Sequence, residues 1–155
     1  MIIHFICKGN GYRSRLAEAY LSSKRIKNLK VISSGVLALK SDNGFISWYA
    51  QRIIQYEDLI NYSKPSWQQT TSILLNKADI NIFMDKKNYE YAKNNLSYGA
   101  GNYEVWNIPD IDDFGFIVKR ETLEKEQEKI KITEETYQII RRKIDEFIST
   151  HTIVP

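Results

Sequence analysis

Cys7, Arg13 and Ser14 stand at a spacing that can hold and attack an oxyanion, with Lys8, Gly9, Asn10, Gly11 and Tyr12 between them. A cysteine thiolate is a strong nucleophile. An arginine offers a planar fork that matches two phosphate oxygens. Glycines let the backbone turn sharply with its N–H groups pointing inward, a concavity that accepts an anion. A cysteine in such a field ionises more easily, because the donors that bind an anion also stabilise a thiolate. The flanking residues supply the frame. Ile2-Ile3-His4-Phe5-Ile6 is a short apolar run and reads as a buried strand. Arg15-Leu16-Ala17-Glu18-Ala19-Tyr20-Leu21 are good helix formers, with Leu16, Ala17, Tyr20 and Leu21 on one face. The stretch is therefore a strand-to-helix turn, and the helix start adds unpaired N–H donors and the positive end of its dipole. A lone cysteine ending an apolar strand is usually a small buried hydrophobe. Gly9, Gly11, Arg13 and the helix start argue for an anion-binding loop with a nucleophile instead.

Further strands are expected at Val31–Val36, Ile80–Asp85 and Tyr103–Ile108. Helices are expected from Ile46 to Tyr56, over Ser66–Asn76 and over Asn88–Leu96. A last helix is expected to open at Thr133, with Tyr137, Ile140, Ile144, Phe147 and Ile148 on its apolar face. Four strands alternating with helices predict an α/β layer structure around a parallel sheet. A ligand at the carboxyl end of the first strand fits that architecture. Lys40–Gly44 is a loop by composition, and Trp48 reads as core or rim rather than substrate wall. Lys119–Lys131 is a mixed-charge run with helical character, read as a solvated helix. His4 alternates with core residues and reads as a satisfied histidine, and His151 in the tail has no assigned role.

At 155 residues the chain suits one domain with a real core, and 43% hydrophobic with 26% charged residues is ordinary for a globular protein. A net charge of +3 is compatible with phosphate-bearing ligands but is no nucleic-acid signature. One cysteine allows no internal disulfide, which fits a reducing cytoplasm. No signal-peptide pattern and no membrane-length apolar stretch is seen, so neither nucleic acid nor membrane is an expected partner.

Cys-x5-Arg-Ser, with Gly9 and Asn10 inside it and on a first strand-to-helix turn, resembles the loop of the low-molecular-weight protein tyrosine phosphatases and related arsenate reductases. The resemblance implies four parallel strands flanked by helices on both faces, in one domain over residues 1–155, with the phosphate loop after the first strand. The charged run at about 117–132 looks like a helical insertion relative to the family. In the implied chemistry Cys7 attacks phosphorus and the loop, Lys8 to Ser14, holds the phosphate oxygens together with Arg13. Asn10 fixes the loop, Ser14 donates to the thiolate, and neither metal nor cofactor is needed. Ser33 and Gly35 fit the family's Ser-x-Gly after the second strand, a loop that borders the site. Met84, Asp85 and Asn88 match the end of its third strand, where Asp85 reads as a helix cap. Asp110 matches the aspartate that serves as general acid, and Asp112 is the fallback. By itself the cluster Asp110, Asp112, Asp113 reads as a solvated turn or a loose cation site. The substrate implied is a phosphorylated protein or a small phosphomonoester, and phosphate or another oxyanion would occupy the loop.

Four positions depart from the family pattern. Arg15 and Ile111 replace prolines, Tyr12 stands where many members carry a second cysteine, and Pro65 falls where a histidine is usual. The last predicts a hydrogen-bond network that is altered or missing. Two other functions remain open on sequence. One is arsenate reduction, which with a single cysteine needs an external thiol such as glutathione or glutaredoxin. The other is a phosphate- or phosphoprotein-binding module with little or no turnover.

Overall fold

β1 (Ile2–Cys7) is the strand on which the rest is assembled, and its residues explain why. β-branched and aromatic side chains suit a strand covered on both faces, and Ile3 through Cys7 are all buried. The computed structural model describes residues 1–40, 45–99, 101–114 and 122–151. Within them β1, β2 (Lys30–Gly35), β3 (Ile80–Phe83) and β4 (Tyr103–Val105) form a parallel four-stranded sheet in the order β2-β1-β3-β4. Cys7 pairs in register with Gly35, at the carboxyl end of β2.

Helices cover both faces, as the alternation of strands and helices predicts. α1 (Arg13–Ser23), α2 (Trp48–Tyr56) and α5 (Leu123–Thr150) bring Leu16, Tyr20, Ile53, Ile140 and Phe147 into one core with Ile3 and Phe5. On the other face α3 (Ser72–Lys77) and α4 (Lys86–Asn95) bring Leu75 and Ala92 against Ile6 and Phe83. His4 is fully buried between strands, with Nδ1 3.0 Å from Asn81 Oδ1 and Nε2 2.6 Å from Ser34 Oγ. It is the satisfied histidine that its place in β1 suggests.

Element boundaries differ from expectation where packing outweighs local pattern. The final helix begins at Leu123, not at Thr133. Thr122 is its cap, accepting from the Lys125 N–H at 3.3 Å, and Glu124 and Glu126 complement the dipole in its first turn. Thr133 lies inside the helix, fully buried, with its hydroxyl donating to the Ile130 carbonyl at 2.8 Å. The charged run is thus the start of α5, seated on α2 by Tyr49 on Glu126 and by Arg52 Nη2 on Glu134 at 2.6 Å. Residues 117–121 of that run, and residues 41–44 of the expected loop Lys40–Gly44, lie outside the described residues.

The helix expected over Ser66–Asn76 shrinks to α3, capped by Thr71, and of its apolar end only Leu75 is buried while Ile73 is exposed. Residues 68–70 instead run beside β2, with Gly35 N–H donating to Gln68 O and Thr70 N–H to Gly35 O, each at 2.9 Å. β4 ends at Val105, yet Trp106 and Ile108 continue to donate to Phe83 and Met84. Trp48 is neither core nor fully free: half exposed, it lies 4.9 Å from the Tyr49 ring.

Candidate active site

The loop leaves β1 at Cys7 and enters α1 at Arg13. Its left-handed residue is Asn10, at φ 56°, a conformation asparagine tolerates better than most. Sequence reasoning had assigned the sharp turn to the glycines. The loop hangs on the end of β2, with Val36 N–H donating to Cys7 O at 2.9 Å and Leu37 N–H to Lys8 O at 2.8 Å. Gly35 permits this approach, since a Cβ there would stand 2.6 Å from both Asn10 N and Gly9 C. On the far side Gly11 O accepts the Ser47 N–H at 2.8 Å.

Cys7 is 3% exposed, with Ser14 Oγ 2.9 Å from its sulfur and the Asn10 N–H donating to it at 3.2 Å. Asn10 Nδ2 donates to Ser14 Oγ at 2.9 Å and to Ser33 Oγ at 2.8 Å, and its Oδ1 accepts the Gln68 N–H at 2.7 Å. The Ser33 hydroxyl in turn donates to Glu18 Oε2 at 2.6 Å. Ser33 therefore sits behind the loop, bonded to Asn10 on one side and Glu18 on the other.

Arg13 is buried, and two carboxylates and a carbonyl aim its fork. Nη1 donates to Asp85 Oδ2 and to Ile108 O, each at 2.8 Å, and Nη2 donates to Asp110 Oδ2. Burial pulls the guanidinium pKa down, but Asp110, the Cys7 sulfur and Asp85 outweigh it and hold the group charged. The other Asp110 oxygen accepts the Ile111 N–H at 2.9 Å, and the Asp110 N–H donates to Asp113 Oδ2 at 2.9 Å. A proline at 111 has no N–H to give, so this departure from the family pattern adds an anchor to the carboxylate. Asp112 lies in the same 3₁₀ turn, Ile111–Phe114, and its side chain lies outside the described part of the structure. Tyr12 is buried, and burial pushes its hydroxyl well above the usual range, so it stays protonated.

Three residues in this network were missed or half-read. Asp85 caps α4 as expected, accepting the Asn88 N–H at 2.9 Å, but its second oxygen also holds Arg13. Glu18 lay among the helix formers with no role. Its one signal was its position four residues after Ser14, hence on the same side of α1. At Pro65, where the network is expected to be altered or missing, the neighbouring Lys64 Nζ lies 2.6 Å from Glu18 Oε1. Arg15, in place of a proline, is buried and donates to the carbonyls of Lys64 and Ser66. Among the described residues no helix is long and apolar enough to cross a membrane.

The arrangement is a buried sulfur under hydroxyl and N–H donors, beside a buried arginine that two carboxylates aim. The family model for low molecular weight phosphotyrosine protein phosphatase matches residues 2–148. Similar solved structures include Wzb of Vibrio vulnificus in complex with benzylphosphonate, with TM-score 0.73 and 22% identity, covering 96% of this chain and 97% of that one. The tyrosine phosphatase Wzb of Escherichia coli K30 in complex with sulphate gives 0.72 at 20% identity, covering 96% of each. A mutant of the arginine phosphatase YwlE with a phosphorylated active-site serine gives 0.67 at 20% identity over 99% of this chain and 100% of that one. At such identities the structures share the fold. Comparison with curated proteins gives no match. The sheet, the loop after its first strand and the match over nearly the whole chain agree. The chain belongs to the low molecular weight phosphotyrosine protein phosphatase family, cysteine-based hydrolases of phosphoric monoesters.

Proposed function

We propose that the chain hydrolyses phosphotyrosine or a similar phosphomonoester through a phosphocysteine intermediate. The observation that carries this reading is the buried Cys7 sulfur, with the Ser14 hydroxyl at 2.9 Å and the Asn10 N–H at 3.2 Å. The thiolate attacks phosphorus, and the S–P bond forms as the P–O bond to the leaving group breaks. Asp110 gives its proton to the leaving oxygen. Water then attacks the phosphocysteine and Asp110 takes its proton. The S–P bond breaks, releasing inorganic phosphate and the thiolate. Arg13 and the N–H groups of Lys8 to Ser14 hold the non-bridging oxygens, with Asp85 and Ile108 O aiming the guanidinium. Asp110 bonds the Arg13 guanidinium, and a phosphate dianion competes for that fork and frees the carboxyl for the leaving group.

The Ser47 N–H on Gly11 O sets the segment carrying the exposed Phe45 and Trp48 against the loop, which favours an aromatic leaving group. Benzylphosphonate in the Vibrio vulnificus structure supports the same preference, and the phosphorylated serine of the YwlE mutant supports a covalent intermediate. A lone cysteine used as nucleophile fits a reducing compartment, and we place the enzyme in the cytoplasm.

The test is hydrolysis of p-nitrophenyl phosphate from acidic to neutral pH. Wild-type turnover that Cys7→Ser abolishes, with a quenched reaction in which the protein carries one phosphoryl group, is the expected result. Turnover no greater than that of Cys7→Ser overturns the reading in favour of an anion-binding module. Arsenate reduction with glutathione and glutaredoxin, assayed alongside, separates the third alternative.

A further inference from the structure

Glu18 is a carboxylate only 2% exposed, a placement that is costly unless the charge is paired and hydrogen-bonded. Its Oε1 meets Lys64 Nζ at 2.6 Å, and its Oε2 accepts the Ser33 hydroxyl at 2.6 Å. From Ser33 the hydrogen bonds run inward through Asn10 Nδ2 to Ser14 Oγ and end at the Cys7 sulfur, 2.9 Å from Ser14. An ionised carboxylate only accepts, so Ser33 must donate to it. Asn10 Oδ1 is taken by the Gln68 N–H at 2.7 Å, so the amide turns its NH₂ to both serines. Ser14 receives one of those hydrogens, and its own proton has two acceptors, the sulfur at 2.9 Å and, at a longer 3.5 Å, the Ser34 carbonyl; the shorter contact favours the sulfur. The outer end is anchored as well, because buried Arg15 holds the carbonyls of Lys64 and Ser66.

We propose that Lys64 is a positioning residue for Cys7: its ammonium pairs with the Glu18 carboxylate and holds it in place, and Glu18, through Ser33 and Asn10, aims the Ser14 hydroxyl at the sulfur. The proposal rests on Cys7 being the nucleophile. With Lys64 removed, the buried Glu18 carboxylate loses its ion-pair partner, leaving an unbalanced negative charge on the network and a Ser33 acceptor that is no longer held in place, and both disfavour the thiolate. The charged groups that face this network are Arg13, Arg15 and Glu18 of α1, Lys64 ahead of α3, and Asp85 and Asp110 across Arg13. His4, bonded to Ser34, is neutral at the pH values used below, since burial first of all lowers its pKa to about 4.

Alkylation of Cys7 by iodoacetamide reads the thiolate without turnover. Lys64→Met is expected to slow alkylation at pH 5.5 about fivefold and leave it within about twofold of wild type at pH 9. Lys64→Arg restores the wild-type rate. Ser33→Ala slows the reaction at pH 5.5 in the same way without changing a charge. In the Ser33→Ala background Lys64→Met adds less than about twofold, because the link is already cut. A full effect of Lys64→Met in that background, or none in the wild type, overturns the proposal. If the alkylation pattern holds while wild type fails to hydrolyse p-nitrophenyl phosphate, the phosphatase reading fails and the positioning role stands.

Discussion

Asp110 has two oxygens with separate partners, Arg13 on one and the Ile111 N–H on the other. A carboxylate held this way could serve as the general acid or only as a counter-ion for Arg13, and the leaving group separates the two. Phenolate needs a proton as it departs far more than p-nitrophenolate does. Asp110→Asn is therefore expected to cut kcat for phenyl phosphate by about 10²–10³, and to cut it distinctly less for p-nitrophenyl phosphate. Equal losses on both substrates would reduce Asp110 to a counter-ion and move the acid role to Asp112. Legibility at this scale followed contiguity. Cys7, Asn10, Arg13 and Ser14 were readable because one loop carries them with their chemistry intact. The second role of Asp85 was hidden because its partner Arg13 is 72 residues away in sequence. Lys64 was hidden because its partner Glu18 lies far away in sequence, on α1, and only a histidine at the neighbouring position 65 was expected there.

Between elements, the site depends on how closely the end of β2 lies under the loop. A Cβ at Gly35 would meet Asn10 N and Gly9 C at 2.6 Å, and both belong to backbone rather than to a flexible side chain. The loop can retreat only by losing the bonds from Val36 N to Cys7 O and Leu37 N to Lys8 O. Gly35→Ala is expected to lower stability by about 1–3 kcal/mol and kcat/KM by at least about tenfold, read by urea unfolding and p-nitrophenyl phosphate hydrolysis. Gly11→Ala is the contrast, since its Cβ would meet Ser47 N at 3.5 Å, an ordinary contact, and its unfolding midpoint should match wild type. A Gly35→Ala protein as stable and active as Gly11→Ala would mean that the loop is not seated on β2. The four strands were legible because short β-branched and aromatic runs bounded by turns have few other uses. Helix starts were less so. Thr133 has the residue type and the acidic followers of a cap, but Ile132, Thr133 and Thr136 are buried, and that packing carries α5 back to Thr122.

Across the whole molecule, the same sheet that presents Cys7 carries a buried titratable group on its opposite face. His4 joins three strands, bonding Asn81 of β3 at 3.0 Å and Ser34 of β2 at 2.6 Å. Asn81 Nδ2 donates to Leu75 O at 2.9 Å, so its Oδ1 faces the imidazole, and Nδ1 carries the proton. Burial, the largest cause, lowers the pKa of His4 from 6.5 to about 4, with the Asn81 bond opposing and the Lys64 charge assisting. The unfolded chain therefore takes this proton below pH 6.5 while the native chain refuses it until about pH 4. Stability falls as pH falls through that window, by up to roughly 3 kcal/mol. The urea midpoint is expected to drop between pH 7 and pH 4.5. His4→Gln, whose amide can give one hydrogen bond and accept another but cannot titrate, should flatten that drop whatever its stability at pH 7. An unchanged slope in His4→Gln would show that His4 is not the group behind the acid loss. The distinction matters for catalysis, because the phosphatase assay spans the same acidic range. Activity that falls there in wild type but persists in His4→Gln reports the fold opening, whereas a fall common to both reports the site itself.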